Sequence, residues 1–127
     1  SLAQLEQLEE FTQKRIKNAE LLNQGLSEIR QIRLPKANGK HVFHQYTLKA
    51  QDRDMLIEHL KKNDIIAGVY YPRPLHLHPH FQKFGYKQGD FPVSEQLSKE
   101  VISLPVHPEV SEKDIKFIID TIKAFYR

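Results

Sequence analysis

Apolar residues at Leu2, Leu5, Leu8, Phe11, Ile16, Ala19, Leu22, Leu26 and Ile29 follow the helical period of about 3.6 residues and predict one long amphipathic helix over residues 2–29. Gly25 is a mild flaw near its end, because glycine is a poor helix former. No capping residue precedes the helix, which starts almost at Ser1. Such a start fits a fragment whose first helix bridges to another domain. Next, Ile32 to Leu34 reads as a short strand stopped by Pro35, and Asn38-Gly39 marks a turn. From His41 to Leu48 the chain alternates, with Val42, His44, Tyr46 and Leu48 on one face and Phe43, Gln45 and Thr47 on the other. That pattern predicts a strand covered in part on both faces. Asp52 is placed to cap a helix from Arg53 to Lys62 with Met55, Leu56 and Leu60 inward, and Ile65 to Tyr71 predicts a further strand.

The pattern then breaks. In Gly68-Val-Tyr-Tyr-Pro-Arg-Pro-Leu-His-Leu-His-Pro-His80, Pro72, Pro74 and Pro79 forbid a regular helix and interrupt any ladder, since each lacks a backbone N–H. The expected result is a stiff, ring-rich loop that the rest of the chain holds in place. Periodicity resumes with a helical turn at His80–Phe84 ended by Gly85, then a helix capped by Asp90 with Pro92 in its first turn and Val93, Leu97 and Val101 buried. Ile102 to Leu104 forms a strand ended by Pro105. Ser111 caps the last helix in an imperfect capping box with Asp114, and Ile115, Ile118, Ile119, Ile122 and Phe125 form its apolar face. These elements sum to an α+β fold: a small, mostly antiparallel sheet of three to four strands, helices on one face, and a long linking helix in front.

At 127 residues the chain suits one domain with a core of its own. It contains no cysteine, which removes disulfides, thiolate metal sites and cysteine nucleophiles and favours a cytoplasmic setting. No apolar run approaches transmembrane length. The net charge of +3 is small and mixed along the chain, without the basic stripe of a nucleic-acid binder. Candidate chemistry lies in the proline loop. Tyr70 and Tyr71 are core aromatics on strand propensity alone, or phenols that leave the core to meet a polar ligand. Arg73 can pair a carboxylate or phosphate bidentately. His76, His78 and His80 have the alternation of a metal grip, but Pro79 disturbs it and no carboxylate pattern supports it; no metal site is expected. His44 reads as a core or interface histidine and His107 as a loop residue. No phosphate loop, nucleophile elbow or lysine in an apolar pocket is present, so no residue is nominated as catalytic.

The order of motifs then carries a resemblance. Gln4-Leu-Glu-Gln-Leu8, Arg15, Val42-Phe-His-Gln-Tyr-Thr47, Arg53, Ile65 to Gly68, Tyr71-Pro-x-Pro-Leu-His76, Phe91-Pro-Val-Ser-Glu95 and Ser103-Leu-Pro-Val-His-Pro108 together resemble the C-terminal domain of the DegT/DnrJ/StrS family. These are pyridoxal-phosphate-dependent sugar-nucleotide aminotransferases of the aspartate-aminotransferase fold. The resemblance implies that residues 1–30 are an interdomain helix and 31–127 the small domain, the large domain with cofactor and Schiff-base lysine being absent. It implies that the parent moves an amino group, from glutamate, to a keto sugar nucleotide, as a homodimer, while the fragment alone binds no cofactor and is inactive. Substrate contacts are implied for Tyr70, Tyr71, Arg73 and His76; Tyr70 stands where relatives often carry histidine. The rival reading is a stand-alone small-ligand-binding or interaction domain without catalysis.

Overall fold

In a computed structural model that describes residues 5–127, helix α1 spans Leu8–Leu26 and presents Ala19, Leu22 and Leu26 fully buried. Leu2 of the predicted helix and Gln4 of the first motif lie outside the described residues. The stripe is covered only in its C-terminal half: Leu5 and Leu8 remain exposed. Gly25 is no flaw. A Cβ there would lie 2.4 Å from Cδ1 of Ile119, so glycine is what lets α1 approach the last helix closely. Asn18, also buried, donates from Nδ2 to the carbonyl of Val110 at 3.1 Å and fixes the segment that precedes that helix.

Strands β1 (Ile32–Arg33), β2 (Tyr46–Ala50) and β3 (Val101–Leu104) form an antiparallel sheet in the order β1-β2-β3. Leu48 pairs with Ile102 and Tyr46 with Leu104. Alternation therefore places Tyr46, Leu48, Ala50, Ile102 and Leu104 on one face, where they join a core with Leu22, Leu26, Leu56, Leu60, Ile115, Ile118 and Ile122. Those partners come from α1, from α2 (Arg53–Lys62) and from α5 (Glu112–Phe125). The capping box at the start of α5 is complete, with the Ser111 hydroxyl accepting from Asp114 N–H and the Asp114 carboxylate accepting from Ser111 N–H.

Several expectations are corrected. The strand predicted from His41 begins only at Tyr46, because Phe43 takes a left-handed φ of 46°. The turn buries Phe43 and leaves Val42 and His44 exposed. Asp52 occupies the cap position of α2 but makes no side-chain cap bond, since its own φ is 52°. Met55 faces solvent while Leu56 and Leu60 are buried. The strand predicted over Ile65–Tyr71 shrinks to one antiparallel rung, in which Gly68 and Ser103 exchange N–H···O bonds of 2.9 and 2.8 Å. Helix α3 (Pro79–Gln82) is a single turn. Helix α4 (Pro92–Glu100) is preceded by Phe91 rather than Asp90 at its cap position, and Val93 is exposed. Leu97 and Val101 are half-buried.

Two phenols set an alkaline limit on this fold. Tyr46, wholly buried, donates to Asn23 Oδ1 at 2.7 Å, and burial pushes its pKa upward. Tyr126 donates to the Gln51 carbonyl at 2.6 Å; burial, helped by Asp52, pushes it up to about 12. An unfolded tyrosine loses its proton near pH 10. Between that value and about 12, the folded chain keeps protons that the unfolded chain has given up, so stability falls as pH rises through the window. Chemical denaturation from pH 8 to 11.5 is expected to show a level midpoint up to about pH 9.5 and a steady decline above it. Tyr126→Phe should make the decline shallower and leave the part that Tyr46 contributes. A midpoint that stays level throughout would contradict the assignment.

Candidate functional site

The proline loop is an arch with two feet. The first foot is the Gly68–Ser103 rung on the outer edge of β3. The second is a 3-10 turn, Leu75–Leu77, closed by Leu77 N–H to the Pro74 carbonyl at 3.0 Å and followed by His78 N–H to the Leu75 carbonyl at 3.1 Å. Pro72 and Pro74 have no N–H to give, and Tyr71 sits at a left-handed φ of 62°. For a bulky non-glycine residue that conformation costs about 1–3 kcal/mol and persists only where the surroundings impose it. Such strain concentrates where a side chain has to be aimed. Tyr71 is aimed outward, with 81% of its surface exposed.

The four nominated residues share the arch but face different ways. Tyr70 folds back over the first foot, so that a Cβ on Gly68 would lie 2.8 Å from its ring. Its ring borders a groove of about 780 Å³ that also meets His44, Ser103, His107 and Phe117. Arg73 is exposed on another side, beside Tyr86, Lys87 and Gln82 in a shallower polar hollow of about 380 Å³. His76 points inward and is 93% buried, its Nε2–H donating to Glu95 Oε1 at 2.9 Å with the carboxylate as acceptor. His78 and His80 are exposed. Among the described residues no three histidine or acidic side chains converge as metal ligands.

Glu95 was not nominated, although it is the polar centre of this region. It lies in the first turn of α4, and Oε1 also accepts from the Gly89 N–H at 2.8 Å. The Phe91 ring lies 4.8 Å from the His76 ring and Tyr86 5.7 Å from Phe91. Burial works to raise the Glu95 pKa, but the Gly89 N–H, the His76 ring and the Phe91 backbone outweigh it and hold the carboxyl below the usual range. Glu95 is therefore ionised at neutral pH. The available signal was its place in the first helical turn behind Phe91-Pro92, where a carboxylate meets free N–H groups. His44 and His107, read from sequence as packing and loop residues, face the groove beside Tyr70.

The lysines bear on cofactor chemistry. Among the described residues every lysine is exposed except Lys49 and Lys123, which are half-buried; none sits in the enclosed apolar pocket that would make it a Schiff-base former. What the chain can do chemically is present phenols, imidazoles and one guanidinium to a polar ligand.

Compared with known proteins, residues 1–123 match the model of the DegT/DnrJ/EryC1/StrS aminotransferase family. A pleiotropic regulatory protein of Geobacillus stearothermophilus is 41% identical over 126 residues, which cover 94% of this chain and 33% of that protein. The UDP-N-acetyl-3-dehydro-alpha-D-glucosamine 3-aminotransferase of Acidithiobacillus ferrooxidans is 36% identical over 94 residues, covering 72% of this chain and 25% of its own length. Among solved structures, S. venezuelae DesV in complex with a ketimine intermediate superposes with a TM-score of 0.93 at 27% identity, over 98% of this chain and 34% of that one. The chain thus spans about a third of the length of the first of these relatives.

Proposed function

The chain belongs to the DegT/DnrJ/EryC1/StrS aminotransferase family, and on that premise we propose that it is the C-terminal small domain of an enzyme that transfers an amino group to the keto group of a nucleotide-linked sugar. The observation that carries this reading is the family match running through nearly the whole chain while the chain spans a third of a relative's length. Aminotransferases of this family work with pyridoxal phosphate, which serves as the electron sink for the transfer. In this reading the covalent anchor belongs to the rest of the enzyme and this chain alone is inactive; the exposure of its lysines supports that. The amino donor in this reading is glutamate, and the parent is a homodimer in the cytoplasm. The cysteine-free composition fits a reducing compartment, and no described helix is long and apolar enough to cross a membrane.

Within the parent this chain orients the substrate. The arch is stiffened by prolines, so little conformational freedom is lost when it meets a ligand. The Tyr71 hydroxyl is free to bond a sugar oxygen, and Tyr70 offers a phenol at the mouth of the groove. Arg73 can meet a phosphate oxygen through a charge-assisted bond. Closing these groups over the sugar would exclude water and hold the keto carbon in position.

Kinetics of the full-length enzyme test the reading. Tyr71→Phe and Arg73→Gln are each expected to raise KM for the nucleotide keto sugar about tenfold while leaving the amino-donor half-reaction unchanged. A full-length protein that carries no pyridoxal phosphate, or whose sugar KM ignores both substitutions, would overturn it.

A further inference from the structure

The second foot of the arch is tied down by a group remote from it in sequence. His76 carries the one buried ionisable side chain of the 3-10 turn, and its partner Glu95 lies 19 residues further on, in α4. The carboxylate oxygen that receives the His76 N–H also receives the Gly89 N–H. One atom thus joins the arch, the loop before α4 and α4 itself. The Phe91 ring packs against the imidazole as well, at 4.8 Å and tilted by 56°, and Tyr86 in turn supports Phe91. Donating from Nε2–H to the carboxylate fixes the histidine tautomer and its ring orientation. Between the feet, Val69 to Arg73 take part in no backbone hydrogen bond among those of the described residues. The strained Tyr71 is therefore maintained by its anchors, and on the far side by this clasp.

We propose that Glu95 is a positioning residue for substrate recognition: through His76 it holds the arch so that Tyr71 is presented in its left-handed, outward conformation. The alternative role for a first-turn carboxylate is to stabilise its own helix. The bonds go further than that: besides the Phe91 backbone at the cap of its own helix, the Glu95 side chain reaches His76 and Gly89, both outside α4. The kinetic consequence rests on the sugar-aminotransferase reading above; the mechanical one does not.

The test compares Glu95→Ala and Glu95→Gln in the full-length enzyme. Glutamine keeps an oxygen that can accept from His76 and Gly89, so it serves as the conservative control and guards against a variant that merely fails to fold. In Glu95→Ala, amide hydrogen exchange is expected to quicken at least about tenfold at Leu77 and His78, whose N–H groups close the 3-10 turn, while β3 and α5 keep their protection. KM for the nucleotide sugar is expected to rise about tenfold with the donor half-reaction unchanged, and Glu95→Gln to restore most of both effects. Exchange that quickens along α4 instead, or nowhere, overturns the clasp. Local loosening with an unchanged sugar KM overturns the positioning role. Local loosening in a protein whose unsubstituted form transfers no amino group to any nucleotide keto sugar leaves the clasp standing and overturns the enzymatic reading.

Discussion

Arg53→Met is expected to destabilise the fold by about 3 kcal/mol and to lower the melting temperature by roughly 10 °C. Arg53 opens α2 and is 93% buried. Its Nη1 donates to the Val101 carbonyl at 2.9 Å and Nη2 to the Ser98 carbonyl at 3.0 Å, while Nε meets Asp54 at 2.6 Å. The guanidinium thus ties the start of α2 to the passage from α4 into β3, where the chain leaves helical geometry and has carbonyls to satisfy. Methionine fills much the same volume but leaves both carbonyls without that donor. The exposed Asp54 contributes little, because solvent screens the pair. Arg53→Lys should recover less than half of the loss, since an ammonium cannot span two carbonyls as a planar fork does. Thermal unfolding followed by circular dichroism measures both variants; a loss under about 1 kcal/mol for methionine would show that water replaces the arginine there at little cost.

Gly25→Val is expected to cost about 3 kcal/mol by forcing α1 and α5 apart. The modest change Gly25→Ala is more diagnostic. In a free helix alanine would gain close to 1 kcal/mol over glycine. Here the new methyl would meet Ile119 at 2.4, 2.9 and 2.9 Å from three of its side-chain carbons, so the net effect should be destabilising. Ile119→Ala removes those carbons. In the double variant the Gly25→Ala penalty is expected to vanish and the helical gain to reappear, a coupling of about 2 kcal/mol between two positions in contact. Additive effects in denaturant titrations would mean that the helices already have room to move.

Gly25 also marks the boundary of what a sequence can disclose. Propensity is a local property, and on that scale the glycine is a defect; its reason is a helix almost a hundred residues further on. The elements with strong periodicity were legible for the same reason in reverse. Helix α2 and helix α5 with its cap follow from spacing and from Ser111 and Asp114, none of which needs knowledge of a distant partner. Short apolar runs misled where one backbone angle breaks the period. Phe43 turns left-handed and reassigns the faces of residues 41–45, and the approach to Pro72 leaves only Gly68 of a predicted strand. At the candidate site the proline arch was visible as composition. The placement of its side chains on three sides was not, because alternation ceases to predict facing once prolines and a positive φ interrupt it. Glu95 escaped notice since its meaning lies in a bond to His76 across intervening turns.

The lone rung at Gly68 has a bearing on association between chains. In the order β1-β2-β3 the outer strand β3 ends the sheet, and an unprotected outer strand is a template for another polypeptide. Here Gly68 occupies the pairing groups of Ser103, Pro105 follows at once, and the chain beyond Gly68 runs into Pro72 and Pro74. A further extended segment cannot zip along this border past those points, since the donors it would need are missing. The prolines that shape the arch therefore also guard the border of the sheet against fibrillar stacking.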